Sequence, residues 1–451
     1  MRKTLALQSL DDVFETSCFD TTVKHIDLGD IIIHRGVIGS TAEQVSLAGD
    51  LYCPFDFYRQ SDIDLIQIVN NDVANWMVKI GIIAKNDASK IIKANFAQFV
   101  SYTCVAFDSS IEKDVDIQGS SNMEAINRLL KDSRVCLPEN ALRLQTSFTG
   151  MLYVYDDWVE EEEDIHLIHR LNGYIKRVFL DYSQDIEKVP MVLVDFLKWH
   201  EVSTAKAEIL AGYVSGWAQM AKDLGFAYAS SSDESIGTLG YDEFCKELFD
   251  YLDAIYSEAS DRIKSLRGIF VPKLTEEEID LRRLKTSAVN VVFLVSASTC
   301  GIRFDKNIRD LGNMNMIESG FNQLCTGFNG LISFQKEITS SNIRSNEIIV
   351  VKESRACSLD ESVQLFLEKV SARMHNTESL INNSPFSTKE LMYIAVLWQW
   401  GLGSIPAQMC VARYSQYRDP YVPKLEQGRL GIDFWKYIEW IRPSLLLKTS
   451  A

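Results

Sequence analysis

The sequence predicts an all-α protein in which a single large helical bundle makes up most of the chain. Two observations support this fold class. Apolar residues recur at helical intervals along much of the chain after about residue 54. The alternation of apolar and polar residues that marks strands is scarce after residue 60. We therefore expect a bundle of roughly ten or more helices.

The first elements are predicted from the spacing of their apolar residues. This spacing predicts helices over 66–80, 91–100, 123–130 and, as an acidic helix, from Phe148 to roughly Leu171. The beginning of the chain is less regular, and its run of isoleucines, Ile31 to Ile33, predicts a short strand. We divide the chain into an N-terminal segment, 1–55, of unassigned role, and a helical domain, 56–451.

Capping boxes indicate where three later helices begin. In this motif a Ser or Thr and a Glu three residues later satisfy each other's backbone N–H groups. The pairs are Thr275 with Glu278, Ser358 with Glu361, and Ser387 with Glu390. The last pair precedes an uncharged stretch, 391–412, which is long enough to span a membrane. Its glutamines, glycines and proline instead favour a buried helix broken near its middle. The stretch 233–240, with two glycines, is expected to be a loop.

Composition limits the function classes. The chain has 451 residues with 46% hydrophobic content, enough for a sizeable core, and its formal net charge is −16. This acidic balance argues against a nucleic-acid partner. Nine cysteines without a Cys-x-x-Cys pair suggest neither a zinc site nor a disulfide framework. We expect a cytoplasmic protein without stable membrane insertion, as a monomer or a homodimer.

Asn329, Ser333 and Glu337 form the first candidate site. At 100° per residue these three side chains fall within about 80° of one another on a helix. An amide oxygen, a hydroxyl and a carboxylate are hard ligands of the kind that Mg²⁺ prefers. Lys336 lies on the same side and suits a phosphate. The same spacing also describes an ordinary solvated helix face.

An acidic segment forms the second candidate site. Asp156 and Glu160 are one helical turn apart, so that their carboxylates can share a metal ion, and Asp157 lies beside them. These acids follow an apolar, aromatic run. The alternative interpretation is a charged helix end.

Two arginines are candidates for binding an anion. Arg283 lies in the helix that Thr275 caps, and Arg413, followed by Tyr414, comes just after the uncharged stretch. An arginine there is costly to leave unpaired, and a guanidinium grips phosphate oxygens in a bidentate manner. Each arginine alone also fits an ordinary salt bridge.

Together these residues resemble the single-domain class I terpene synthases, or terpene cyclases, over roughly residues 55–425. The four motifs, in the family's order, are Asp156-Asp157-x-x-Glu160, Arg283, the Asn329/Ser333/Glu337 triad with Lys336, and Arg413-Tyr414. They are similar to the aspartate-rich metal motif, the pyrophosphate sensor, the Asn-x-x-x-Ser-x-x-x-Glu triad and the C-terminal Arg-Tyr pair, respectively.

The resemblance implies the class I isoprenoid-synthase fold and three Mg²⁺ ions held between the two acidic sites. The implied metal ligands are Asp156, Asp157, Glu160, Asn329, Ser333 and Glu337. The implied diphosphate-binding residues are Arg283, Lys336, Arg413 and Tyr414, of which Arg283, Arg413 and Tyr414 are the expected catalytic residues. One departure is Gly330, which stands where the family usually has Asp. A second departure is that Thr286 and Ser287 stand where the family has its linker and effector residues beside the sensor arginine.

The implied reaction is the ionisation of a linear prenyl diphosphate, followed by cyclisation of the carbocation to a terpene. Such a cation needs a dry, aromatic pocket, for which Phe148, Tyr153, Phe328 and Trp398 are candidates. Each of these rings also fits the hydrophobic core. The small residues Gly401, Gly403 and Ser404, together with the length of the chain, slightly favour geranylgeranyl diphosphate over farnesyl diphosphate as the substrate. The alternatives are a sesquiterpene synthase, a chain-elongating prenyl diphosphate synthase and a non-catalytic helical interaction protein.

Overall fold

The structure is a computed structural model that describes most of the chain between residues 26 and 410. The described residues are 26–34, 44–51, 63–107, 121–132, 137–181, 194–198, 202–229, 234–299, 308–309, 313–333 and 345–410. Within them lie fourteen α-helices and one pair of strands. The predicted all-α bundle is therefore confirmed.

The two strands lie in the N-terminal segment. Strands β1 (Ile26–His34) and β2 (Gln44–Leu51) pair antiparallel, with Ile31 opposite Leu47. The register is irregular between Asp27 and Asp30. The isoleucine run that predicted a strand therefore lies within β1.

The next four helices agree with the apolar spacing, with one interruption. They are α1 (Ile63–Lys79), α2 (Ala88–Ala94), α3 (Phe96–Thr103) and α4 (Asn122–Asp132). Asn95 separates α2 from α3 because it adopts a left-handed conformation, with φ of 52°. Its side chain then caps α3 by accepting a hydrogen bond from the backbone N–H of Gln98.

The acidic helix begins and ends earlier than predicted, and a second helix follows it closely. Helix α5 (Glu139–Glu161) ends ten residues before Leu171, and α6 (Ile165–Leu180) begins after a short break. Asp164 causes the break, since its side chain accepts hydrogen bonds from the N–H groups of His166 and Leu167 at 3.0 and 3.3 Å. An aspartate that satisfies these first N–H groups favours a new helix start.

Four helices follow in the middle of the chain. They are α7 (Thr204–Ala229), α8 (Glu234–Leu266), α9 (Glu276–Thr286) and α10 (Val289–Thr299). The expected loop over 233–240 is wrong, because residues 234–240 form the first turns of α8. Each glycine costs a helix about 1 kcal/mol, but a helix of 33 residues propagates through such positions once it has formed.

The C-terminal helices of the bundle are α11 (Met314–Ile332), α12 (Glu347–Arg355), α13 (Leu359–Asn383) and α14 (Thr388–Cys410). All three predicted capping boxes are present. The reciprocal hydrogen bonds occur at the starts of α9, α13 and α14.

Helix α14 is buried over most of its described residues but is not broken, so the predicted break is wrong. Its glycines serve close packing instead. A Cβ atom on Gly403 would overlap the main-chain carbonyl of Tyr102 in α3, and one on Gly401 would lie 2.7 Å from the ring of Phe321 in α11. Across the described part of the chain, no helix has both the length and the apolarity that a membrane span needs.

A buried ion cluster joins α8, α11 and α14 away from these glycines. The guanidinium of Arg309 donates to both carboxylate oxygens of Glu318, at 2.8–3.1 Å, and also to Glu243 and Glu247 of α8. Tyr393 of α14 donates to Glu318 at 2.6 Å. Because breaking such a cluster leaves a buried charge unpaired, it restricts how these helices can pack.

The close contact between Gly403 and the backbone of Tyr102 predicts that a larger residue at 403 destabilises the protein. Gly403→Ala should lower the free energy of unfolding by about 1–3 kcal/mol or more, because the overlapping atoms belong to the backbone and cannot rotate away. Urea unfolding followed by circular dichroism measures the change.

Gly173→Ala is the matched control, since Gly173 is an exposed position in α6 with nothing within 4 Å of an added Cβ. Alanine there should stabilise the protein by up to about 1 kcal/mol through helix propensity. Equal effects of the two substitutions would contradict the packing role of Gly403.

Candidate active site

A deep cavity lies among α3, α5, α8, α9, α10, α11 and α14. The empty space within it, including its solvent-filled mouth, is about 1010 Å³. One part of the cavity wall carries acids and another carries amide, hydroxyl and guanidinium groups, while aromatic and aliphatic side chains line much of the rest.

Helix α5 presents one stripe of side chains to the cavity. The stripe consists of Thr149, Leu152, Tyr153, Asp156 and Glu160, which are spaced as one face of a helix requires. Two acids of the predicted metal motif, together with Tyr153, therefore share this wall.

Asp157 does not line the cavity. It lies about 100° around the helix from Asp156, on the side of α5 that faces Tyr213 of α7. Burial raises the pKa of the Tyr213 hydroxyl, and the negative charges of Asp157 and Glu161 raise it further. The structure thus separates the two adjacent aspartates of the motif.

Two residues that the sequence did not single out support the acidic wall. Glu258 of α8 lines the cavity as a third carboxylate. Arg262, one turn later in α8, donates to the carbonyls of Val159 and Glu162 at 3.0 and 2.6 Å, where α5 ends. Burial lowers the pKa of this arginine, while the charges of Glu160 and its acidic neighbours raise it. Arg262 therefore fixes the C-terminal end of α5 through these two hydrogen bonds.

Asn329 and Ser333 line the cavity together with Arg283. They lie at the end of α11, where the N–H of Ser333 donates to the carbonyl of Asn329 at 2.7 Å. Arg283 of α9 donates to the Asn329 side-chain oxygen at 3.1 Å. The Asn329 amide nitrogen donates to Gln408 of α14 at 3.2 Å. Three helices thus meet at one amide.

Lys336 and Glu337 of the predicted triad region, and the pair Arg413 and Tyr414, lie outside the described residues. Their predicted roles remain predictions.

Arg283 lies one turn before the break between α9 and α10. Ala288 forms this break with a left-handed φ of 56°, and Thr286, Ser287 and Ala288 all line the cavity. Asn322 of α11 holds the break, because its amide donates to the carbonyl of Leu284 at 3.0 Å and to Asn290 at 2.8 Å. The backbone around the arginine is therefore anchored to the helix that carries Asn329.

The neighbours of residue 330 explain why this position has glycine where the family usually has aspartate. A Cβ atom at this position would lie 3.3 Å from a carboxylate oxygen of Glu347, which is buried at the start of α12. Burial raises the pKa of Glu347 to about 6, and the charge of Arg283 opposes this rise. An aspartate at 330 would place a second carboxyl group against this one, whereas glycine does not.

The aromatic part of the cavity wall includes Tyr153, Phe99 and Trp400. The ring of Phe99 lies 5.9 Å from that of Tyr153 and 5.6 Å from that of Trp400. The indole N–H of Trp400 donates to the hydroxyl of Ser296 at 2.7 Å, and Ser296 donates to Gln145 at 3.2 Å. A buried polar cluster thus fixes the orientation of the Trp400 ring.

Phe148, Phe328 and Trp398 do not line this cavity, which corrects their expected placement. All three are buried in the core, where Phe148 packs on Trp217 and Trp398 packs on Phe321. Trp398 and Trp400 are two residues apart and therefore lie about 200° apart around α14. Only one of them can face the cavity, and spacing alone does not show which.

The donors around the cavity fit a hard divalent metal ion. Asp156 and Glu160 offer carboxylates on one wall, and Asn329 and Ser333 offer an amide oxygen and a hydroxyl on the other. Within the described residues, no group of three or more His, Cys, Asp or Glu side chains could hold a metal alone. Magnesium commonly keeps few protein ligands and completes its shell with waters and substrate phosphates.

A family model, terpene synthase family 2, C-terminal metal binding, matches residues 147–376. This match covers both the acidic stripe of α5 and the Asn329 region. The chain is a class I terpene synthase. No curated protein sequence matches it. As a terpene synthase it belongs to the lyases that act on prenyl diphosphates.

Solved structures share the fold of this terpene synthase. The SVS_A2 protein from ancestral sequence reconstruction aligns with a TM-score of 0.53 at 11% identity, over 79% of this chain and 88% of that one. An α-eudesmol synthase gives 0.51 at 12%, over 78% and 96%. The linalool/nerolidol synthase of Streptomyces clavuligerus, in complex with 2-fluorogeranyl diphosphate, gives 0.50 at 12%, over 75% and 96%. At these identities the similarity shows the fold alone.

The different faces of Asp156 and Asp157 predict unequal effects on catalysis. Asp156→Asn should lower turnover of a prenyl diphosphate by about 10²-fold or more, since it removes charge from the cavity wall. Asp157→Asn should lower it by less than about 10-fold. Steady-state kinetics of the two variants, each checked by circular dichroism, make the comparison. Equal losses would show that Asp157 also acts in the cavity.

The hydrogen bond between Trp400 and Ser296 predicts a change in products. Ser296→Ala leaves the indole N–H without its acceptor and releases the ring, so the proportions of terpene products should shift. The control is Ser298→Ala, whose hydroxyl donates to the carbonyl of Val295 in the same helix. Gas chromatography gives the product ratios. An unchanged ratio in Ser296→Ala would show that the polar cluster does not position Trp400.

Proposed function

We propose that this terpene synthase is a Mg²⁺-dependent cyclase that ionises a linear prenyl diphosphate of twenty or fifteen carbons and cyclises the resulting carbocation. The observation that supports it best is the cavity itself. Asp156, Glu160, Asn329 and Ser333 present oxygen atoms to one cavity, together with the guanidinium of Arg283. Aromatic and aliphatic side chains line the rest.

In this proposal Asp156 and Glu160 on α5, and Asn329 and Ser333 on α11, hold the metal ions. When bound, Mg²⁺ supplies positive charge that stabilises the departing diphosphate. Asp157 is not among the proposed ligands, because it does not line the cavity. Glu337 remains a proposed ligand on the family resemblance alone.

Arg283 is the proposed diphosphate-binding residue among the described residues. Its guanidinium reaches the cavity beside Asn329, and a guanidinium can donate two parallel hydrogen bonds to phosphate oxygens. The leaving group carries the negative charge that develops as the carbon–oxygen bond breaks, and a positioned cation stabilises it. Lys336, Arg413 and Tyr414 are proposed as further contacts from the resemblance.

The aromatic wall is proposed to guide the carbocation. The rings of Phe99, Tyr153 and Trp400 offer faces to a positive charge, at about 2 kcal/mol or more per contact when water is absent. The cation rearranges instead of forming an alcohol only if water is kept away. A wall of fixed rings supports both requirements.

The chain length of the substrate remains a prediction, and of the small residues Gly401, Gly403 and Ser404 only Ser404 lines the cavity. Gly401 and Gly403 instead pack against Phe321 and Tyr102. A panel of prenyl diphosphates incubated with the protein and Mg²⁺, with the products separated by gas chromatography, distinguishes the twenty-carbon from the fifteen-carbon substrate.

Metal removal and substitution of the α11 ligands test the proposal. EDTA should abolish turnover of every prenyl diphosphate, and added Mg²⁺ should restore it, because the donors are hard oxygens. Asn329→Ala and Ser333→Ala should each lower activity by at least about 10²-fold with unchanged helicity.

Asn383→Ala, an exposed amide near the end of α13, is the control and should keep its activity. Product formation in metal-free buffer, or normal activity of both α11 variants, would contradict the proposed metal site.

A further inference from the structure

The connection between α8 and α9 exposes apolar side chains to solvent. Leu266 is 53% exposed, Ile269 54% and Phe270 83%, and every residue from 264 to 270 belongs to the exposed class. Phenylalanine is among the residues most often fully buried in folded proteins. A contiguous group of such side chains at the surface indicates an interaction site.

The backbone of this connection is ordered by its own hydrogen bonds. Gly268 has a left-handed φ of 71°, and its N–H donates to Ser265 at 3.0 Å. The N–H of Ile269 donates to the carbonyl of Lys264 at 2.9 Å. This pair of bonds is the Schellman motif that ends many helices. The turn therefore has a defined shape that directs Ile269 and Phe270 outward.

The charge of the connection is opposite to that of the protein. Residues 264–273 contain Lys264, Arg267 and Lys273 and no acid, whereas the whole chain has a formal net charge of −16. Lys273 forms an ion pair with Glu353 at 2.9 Å, so Lys264 and Arg267 are the cations that count beside the apolar side chains. Exposed apolar side chains flanked by cations are the pattern of segments that lie in the interface of an anionic membrane.

The connection lies next to the acidic end of the cavity. Helix α8 contributes Glu258 to the cavity wall and α9 contributes Arg283. Arg267 donates to the carbonyl of Glu163, just beyond the end of α5. Whatever the connection binds therefore lies close to the proposed metal-binding residues of α5.

We propose that residues 264–273, the basic-apolar turn, dock the protein on an anionic lipid surface, with Leu266, Ile269 and Phe270 in the interface and Lys264 and Arg267 at the headgroups. The proposed function explains why the turn lies beside the cavity, and this part of the inference rests on it. The hydrocarbon tail of a prenyl diphosphate partitions into membranes. Docking beside the cavity shortens the path of the substrate from lipid to enzyme.

A second copy of the chain fits this turn less well. A stable protein interface covers about 800 Å² on each partner and about 20–30 residues. Seven exposed residues with three apolar side chains make a much smaller surface. Binding to an anionic membrane instead scales with the apolar area that is buried and with the electrostatic attraction of basic side chains to the lipids.

Vesicle co-sedimentation of the full chain tests the proposal. The protein should bind vesicles of phosphatidylcholine with phosphatidylglycerol more strongly than phosphatidylcholine alone, and added salt should weaken the binding. The double variant Ile269→Glu with Phe270→Glu should bind at least about 10-fold more weakly. Lys264→Glu with Arg267→Glu should lose the preference for phosphatidylglycerol.

The matched control is Phe226→Glu on α7, since Phe226 is also an exposed phenylalanine, at 64%. This variant should bind as the wild type does. Equal loss in Phe226→Glu, or no binding to either vesicle, would overturn the proposal. Self-association of the protein that is lost only in the Ile269 and Phe270 double variant would also overturn the proposal, because it would show that the turn binds a second copy of the chain. A lowered melting temperature of that double variant would instead show that another part of the chain covers the turn.

Turnover in detergent separates this proposal from the proposed function. The Ile269 and Phe270 double variant should convert detergent-dispersed prenyl diphosphate at the wild-type rate, because it leaves the cavity unchanged. A matching loss of turnover would show that the turn belongs to the catalytic site, contrary to the docking role. If the wild type converts no prenyl diphosphate, the proposed function fails, and vesicle binding still decides the docking surface.

Discussion

The hydrogen bonds of the Asn329 amide join three helices at the wall of the cavity. The oxygen accepts from Arg283 of α9, and the nitrogen donates to Gln408 of α14. An amide held on both sides cannot rotate freely, so the position of α11 fixes the positions of the guanidinium and of its neighbours. Since polar groups in a low-dielectric interior are costly to leave unpaired, this junction restricts how the helices can pack.

The cavity is lined by both negative and positive side chains, and different helices hold them in position. Asp156, Glu160 and Glu258 bring negative charge to the cavity that Arg283 also lines. Arg262 holds the end of α5 through the carbonyls of Val159 and Glu162. Preorganised groups of this kind do not have to reorient during a reaction, which is why they stabilise developing charge better than water does.

Local sequence patterns predicted where helices occur more accurately than where they begin and end. The three capping boxes are present because they depend only on residues three apart in the chain. The acidic helix was extended too far, since the apolar spacing continues across Asp164 while its carboxylate starts a new helix. The predicted break in α14 was wrong for a different reason. Glycines there fit the neighbouring helices, and no spacing rule within one helix contains that information.

The sequence by itself determined the helical fold class and the order of the oxygen-bearing and cationic residues along the chain. It also placed Asp156 with Glu160 and Asn329 with Ser333, because helical periodicity is a local property. Only the tertiary structure decided that Asp156 and not Asp157 lines the cavity, and that Trp400 and not Trp398 does. Periodicity groups residues by face, but which face turns inward depends on packing against other helices.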